Sequence, residues 1–187
     1  DIKILTYLLK FKKIQHSYNN NFESLYHIIS KLNLNFSYLK LVGKFNVSYN
    51  LLDKFKNTAL NYALINENID SIKYFLKFNN MDLYTKNKLG FNSLDYLLRT
   101  KIKNFHMIKR YNKVTIKNIE NYISTNNISV KIFAYLISKI KNKYKSNNEG
   151  NNILLILCKT NLNNTIQKLK LLEKLRYNKI NFNKFNK

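Results

Sequence analysis

The sequence predicts an all-α fold, a solenoid of helix–turn–helix units joined by irregular finger loops. Three observations predict it. The segment Asn57-Thr58-Ala59-Leu60-Asn61-Tyr62-Ala63 returns 34 residues later in Gly90-Phe91-Asn92-Ser93-Leu94-Asp95-Tyr96-Leu97, where Leu94 matches Leu60. A weaker copy lies 35 residues before Leu60, in Glu23-Ser24-Leu25-Tyr26-His27-Ile28. Tyr7-Leu8-Leu9-Lys10-Phe11 and Tyr74-Phe75-Leu76-Lys77-Phe78 lie 67 residues apart, two such periods. A period of about 33 residues marks stacked units, each too small to bury its apolar face alone.

The elements follow in order. Asp1 to Lys10 reads as the second helix of a unit whose first helix is missing. The segment Glu23–Ile28 opens the next unit. In the unit after that, Leu60, Ala63 and Leu64 share one face of a first helix. Its second helix starts near Asp70, read as the N-cap, and carries Ile69, Ile72, Phe75 and Leu76 at helical spacing. The polar stretch Asp82 to Gly90 is a finger, and Gly90 suits the turn before the next helix because glycine tolerates positive φ. A shortened unit runs from Gly90 to about Asn112. A first helix is then expected from Thr115 to Ser124 and a long second helix from Ser129 to Tyr144. Gly150 to Cys158 opens the last full unit, with an outer helix ending near Arg176, and Asn178 to Lys187 reads as another finger. As one domain over 1–187, the units are 1–19 (partial), 20–54, 55–88, 89–113 (short), 114–148, 149–183 and 184–187 (the start of another). Both ends fall inside units, so the chain is expected to be a piece of a longer array.

These residues resemble the ankyrin repeat family. Its T-P-L-H-x-A motif matches Thr58-Ala59-Leu60-Asn61-Tyr62-Ala63, and its G-A-D-V-N-x-x-D-x-x-G finger matches Asn80 to Gly90. The resemblance is closest from 46 to 98 and returns at Gly150–Cys158. The motif proline is Ala59, Ser93, Ser24 or Ile153 here, and the motif histidine is Asn61, Asp95, Tyr26 or Leu155. In the family these two residues tighten the helix start and bond to the neighbouring loop. Their loss bears on stability per unit more than on the fold.

The chain has 187 residues and a net charge of +23. That charge suggests nucleic acid or an anionic surface. It also fits an AT-rich genome, because lysine, asparagine, isoleucine, tyrosine and phenylalanine dominate while proline is absent and arginine occurs only as Arg99, Arg110 and Arg176. No apolar run is long enough for a transmembrane helix, so no membrane insertion is expected. The one cysteine, Cys158, cannot form an internal disulfide and favours a reducing, intracellular setting such as the cytoplasm. Cys158 is read as a small buried core residue.

No motif for catalysis is visible. Asp53, Asp70, Asp82 and Asp95 fall at finger, helix-start and motif positions, where caps and turns need them. His16, His27 and His106 lack metal-ligand spacing, and no glycine-rich phosphate loop or nucleophile elbow occurs. No cofactor is expected. The basic runs Lys139–Lys145 and Lys168, Lys170, Lys174, Arg176 and Lys179 read as solvated outer faces, with phosphate tracking as the competing reading.

The resemblance implies a protein-binding scaffold that works through its finger tips and the concave face of its first helices. Carried over residue by residue, the tips are Lys54, Lys56 and Asn57; Lys88 and Phe91; and Asn148 and Asn151. Glu67 and Asn68 fall at the end of a first helix facing the same groove, and Phe91 is the expected exposed anchor. The cationic tips favour an acidic protein partner. Two other functions stay open. One is a substrate-recruiting ubiquitin-ligase adaptor, as in viral ankyrin proteins that carry an F-box-like tail; no such tail is visible in these residues. The other is a non-specific, salt-sensitive nucleic-acid or polyanion binder.

Overall fold

A computed structural model describes residues 1–45, 47–101, 105–125, 128–140, 150, 152–159, 170, 171 and 173. Its helices are α1 (Ile2–Leu8), α2 (Lys12–Gln15), α3 (Leu25–Lys31), α4 (Phe36–Val42), α5 (Ala59–Ile65), α6 (Ile69–Leu76), α7 (Ser93–Arg99), α8 (Phe105–Ile108), α9 (Ile116–Ile123), α10 (Val130–Lys139) and α11 (Ile153–Lys159). Among the described residues there is no strand, and their regular structure is all-α. It divides into two compact units, Asp1–Met107 and Ile108–Lys187.

In the first unit the sequence period becomes a structural one. Ser24, Thr58 and Asn92 lie 34 residues apart and stand at the N-caps of α3, α5 and α7. A short polar side chain suits that position because it accepts the orphan amide three residues on. Thr58 Oγ1 and Asn92 Oδ1 accept from the amides of Asn61 and Asp95, and Ser24 closes a capping box with His27. The three helices pack in the order α3, α5, α7, with α4 against α3 and α6 against α5. They bury the same positions: Tyr26, Leu60 and Leu94, then Ile29, Ala63 and Leu97. Leu60 and Leu94 are both 0% exposed at equivalent places, as expected.

The first copy is therefore one residue out of the sequence register. Tyr26, not Leu25, is the partner of Leu60, and His27, not Tyr26, stands where Asn61 and Asp95 stand. The physical reason is the cap: only Ser24 at the N-cap places a ring nitrogen of His27 on the Ser24 amide. A second correction concerns α6. Its N-cap is Asn68, whose side chain accepts from Ser71 N, and Asp70 sits within the first turn. A carboxylate there still favours the positive end of the helix dipole.

Gly43 closes α4 against the outer aromatic cluster. A methyl group there would meet the Tyr74 hydroxyl at 2.1 Å. That hydroxyl bonds the Tyr26 hydroxyl at 3.2 Å, and the Tyr74 ring is held between Phe36, Phe75 and Phe78. Gly43→Ala is expected to cost about 1–3 kcal/mol, the range of core overpacking. In a Tyr74→Phe background the obstructing oxygen is gone, and the same change should cost clearly less. Equal costs in both backgrounds, measured by urea melts, would refute this contact.

In the second unit α9 packs against both α10 and α11. Helix α9 lies within the expected bounds, with Thr115 and Ser124 as its caps, and Thr115 forms a capping box with Asn118. Tyr111, Tyr122 and Phe133 fill its core, and the Tyr122 hydroxyl accepts from the Ser129 amide at 2.7 Å. Helix α10 ends at Lys139, short of the expected Tyr144, and residues 141–144 lie outside the described residues. Cys158 is a further correction, because it is exposed. On α11 the buried positions are Ile153, Ile156 and Leu157, which share one helical face, and Leu155 and Cys158, three apart, share the exposed one.

Candidate binding surface

Each finger of the first unit is built around one Asx side chain. Asn19, Asp53 and Asn87 lie 34 residues apart. In each case Oδ1 accepts the amides two and four residues on: Asn21 and Glu23, Phe55 and Asn57, Leu89 and Phe91. Such local bonds fold a polar stretch into a tight turn. Three residues after each Asx the chain takes positive φ, at Phe22 (58°), Lys56 (61°) and Gly90 (80°). The fingers then lock to one another. Lys54 N donates to Asn21 O at 2.8 Å and Lys88 N to Phe55 O at 2.9 Å, again 34 residues apart.

Buried polar bonds tie the fingers to the helices. His27 Nε2 donates to the Asn57 carbonyl at 3.0 Å. Asn87 Nδ2 donates to Asn57 Oδ1 at 2.8 Å. The Tyr62 hydroxyl bonds Asp53 Oδ2 at 2.5 Å, and Asn87 Nδ2 bonds the Tyr96 hydroxyl at 2.6 Å. Burial and the Asp53 carboxylate both push the Tyr62 phenol up, so it stays protonated. His27 thus ties α3 to the finger of the following repeat.

His27 has a sharp electrical requirement. Its side chain is buried, its Nε2–H is spent on a carbonyl, and Nδ1 accepts the Ser24 amide. Burial holds its pKa below 6.5, despite the raising pull of the Asn57 carbonyl and of Asp53 and Glu23. The unfolded chain therefore takes the proton first as pH falls. Stability should be full above about pH 6.5 and decline below it, by up to about 1.4 kcal/mol per pH unit for one proton. Urea midpoints at pH 7.5, 6 and 5 should show this decline, and His27→Gln should flatten it. An unchanged slope in that variant would reject His27 as the source. Glu23 acts at lower pH: burial raises its pKa, but bonds from Lys31 and Asn19 outweigh this and leave it below 4.5.

The expected site residues are not all at the surface. Lys54, Lys56 and Lys88 are exposed at the finger tips. Asn57 is not at the surface; it is 9% exposed, and its carbonyl and side chain hold the fingers together. Phe91 is half-buried rather than exposed, edge-on to Tyr96, with the Arg99 guanidinium 4.2 Å above its ring. Glu67 and Asn68 lie in the turn after α5. Glu67 Oε1 accepts from Lys101 N at 2.9 Å, and Asn68 caps α6 while donating to Asn33 Oδ1. Asn148 and Asn151 lie outside the described residues.

The exposed apolar tips are different residues: Phe22 at 53%, Phe55 at 49% and Leu89 at 74%. Phe55 and Leu89 are 34 residues apart, a signal the sequence carried and the tip assignment passed over. Beside them Tyr62 and Tyr96 are half-buried, and Ile65 and Arg99, also 34 apart, are exposed. The carboxylates of this region point inward: Glu23, Asp53 and Asp95 are 4%, 5% and 1% exposed. Each is engaged in a turn, a cap or the Lys31 ion pair. The surface is thus more uniformly cationic than the sequence implies. Among the described residues, no three His, Cys, Asp or Glu side chains group as a metal site, and no helix is long and apolar enough to cross a membrane. Compared with models of known protein families and with curated proteins, the chain matches none.

Proposed function

We propose that the chain is an ankyrin-type repeat array and acts as a non-catalytic scaffold for protein–protein recognition. Binding takes place through its finger tips and the adjoining face of its first helices. The observation that carries this reading is the 34-residue recurrence of cap, Asx turn, positive-φ residue and inter-finger bond across Asn19–Arg99. Such a stack holds its loops rigidly, and rigid loops lower the ordering cost of binding. Ser24, His27, Asp53, Asn57, Thr58, Asn87, Asn92 and Asp95, all buried, serve these turns and caps, which is what a scaffold needs from them.

Inward carboxylates also favour a second reading, a polyanion binder. One experiment separates the two. A tip variant (Lys54→Gln, Lys56→Asn, Lys88→Gln) is compared with an outer variant of equal charge loss (Lys40→Gln, Lys73→Gln, Lys77→Gln), all six lysines being exposed. Against an acidic protein selected for binding, the tip variant should lower kon several-fold and the outer variant should change little. Equal losses in both variants, with steep salt dependence on RNA or DNA of any sequence, would replace the scaffold by the polyanion reading.

A further inference from the structure

We infer that the finger tips form one continuous ridge that takes an extended, acidic peptide segment with an apolar side chain about every third residue. This inference rests on the scaffold reading and names its ligand class. The ridge is continuous because the tips are bonded backbone to backbone, through Lys54 N to Asn21 O and Lys88 N to Phe55 O. Along it, apolar and cationic side chains alternate: Phe22; Lys54, Phe55 and Lys56; Lys88 and Leu89, all exposed. Phe55 and Leu89, held out at one repeat position, and Phe22, one position further along its own finger, are costly in water and form a patch that invites cover.

The charge of the ridge selects what covers it. Glu23 and Asp53 turn their carboxylates inward, to Asn19 and Lys31 and to the amides of Phe55 and Asn57, so neither acid offsets the three lysines at the tips. A second copy of this chain, itself at +23, is disfavoured as the occupant. Nucleic acid is disfavoured by the anchors: Leu89 offers no face on which a base could stack, and lysine reads bases poorly. The spacing selects the peptide's form. Stacked helices lie about 8–10 Å apart, and so do the fingers they carry. An extended chain of the polyproline II type has three residues per turn and a rise of about 3.1 Å, so every third side chain returns to one face about 9 Å on and meets a new tip.

The test uses synthetic nonapeptides of glutamate with Leu or Phe at every third position, read by fluorescence anisotropy. The controls are a same-composition peptide with the apolar residues adjacent, an all-glutamate-and-serine peptide, and oligouridine RNA. The matched peptide should bind at least about tenfold tighter than either peptide control, a difference well within reach of two anchored apolar side chains. Phe55→Ser with Leu89→Ser should remove that advantage. Lys54→Glu with Lys88→Glu should abolish binding of the glutamate peptide and transfer it to the lysine-for-glutamate analogue. Ile65→Ser with Arg99→Gln should leave affinity within about twofold. If the matched peptide binds no better than its controls, or only the Ile65 and Arg99 changes weaken it, the ridge is not the site and the scaffold reading stands. If oligouridine binds as tightly as the matched peptide and Phe55→Ser with Leu89→Ser is silent, the scaffold reading fails with the proposal.

Discussion

Leu60→Ala is expected to lower the stability of the first unit by about 2–5 kcal/mol, the range for a large-to-small change in a closed core. Leu60 is 0% exposed on α5, the helix packed between α3 and α7. Its neighbours on α5, Ala59 and Ala63, are already small and fully buried, so little side chain is at hand to fill the void. The loss should thus fall in the upper part of that range. Leu94→Ala on α7 provides the companion measurement at the equivalent position. Denaturant melts that show less than about 0.5 kcal/mol for Leu60→Ala would mean that the packing register described for α3, α5 and α7 is incorrect.

Asp53→Ala is expected to cost about 2–4 kcal/mol, because one side chain closes a whole finger. Its carboxylate accepts from Phe55 N and Asn57 N at 2.8 Å each and from the Tyr62 hydroxyl. Removing it strands a buried amide and a half-buried phenol. Asp53→Asn should behave quite differently. The carbonyl oxygen would keep both amides, and the new amide would face Tyr62 as Asn87 Nδ2 already faces Tyr96 at 2.6 Å. Asn19 and Asn87 hold the same turn in the neighbouring fingers. A cost within about 1 kcal/mol is therefore expected for Asp53→Asn. If both variants lose the same amount, the negative charge matters and the equivalence of the three fingers does not hold at this position.

Much of the first unit was legible because its signals are local. Thr58 and Asn92 cap helices because short polar side chains can reach the orphan amides, whatever the tertiary structure. Gly90 takes positive φ where a turn needs it. Asp53, Asp82 and Asp95 serve turns and a capping box; Asp82 accepts from the amides of Tyr84 and Thr85. Lys54, Lys56 and Lys88, which only the family resemblance had placed at the tips, are exposed. Phe22 and Lys56 show where such reading stops. Both take the conformation that Gly90 takes, and nothing in a phenylalanine or a lysine announces it.

By itself the sequence determined the helical character of the described residues and the period of the first unit, because apolar spacing acts within a few residues. The tertiary structure decided the rest. Leu25 and Tyr26 are both apolar, so spacing could not choose between them, and the choice fell to His27, which bonds Ser24 behind it and Asn57 in the next finger. Asn57 and Lys56 are adjacent polar residues, yet one is buried and the other exposed, because only Asn57 finds a partner 30 residues away in Asn87. Phe55, Leu89 and Cys158 face solvent for the same kind of reason. A side chain's direction is set by what packs on the far side of it, and that neighbour lies on another part of the chain.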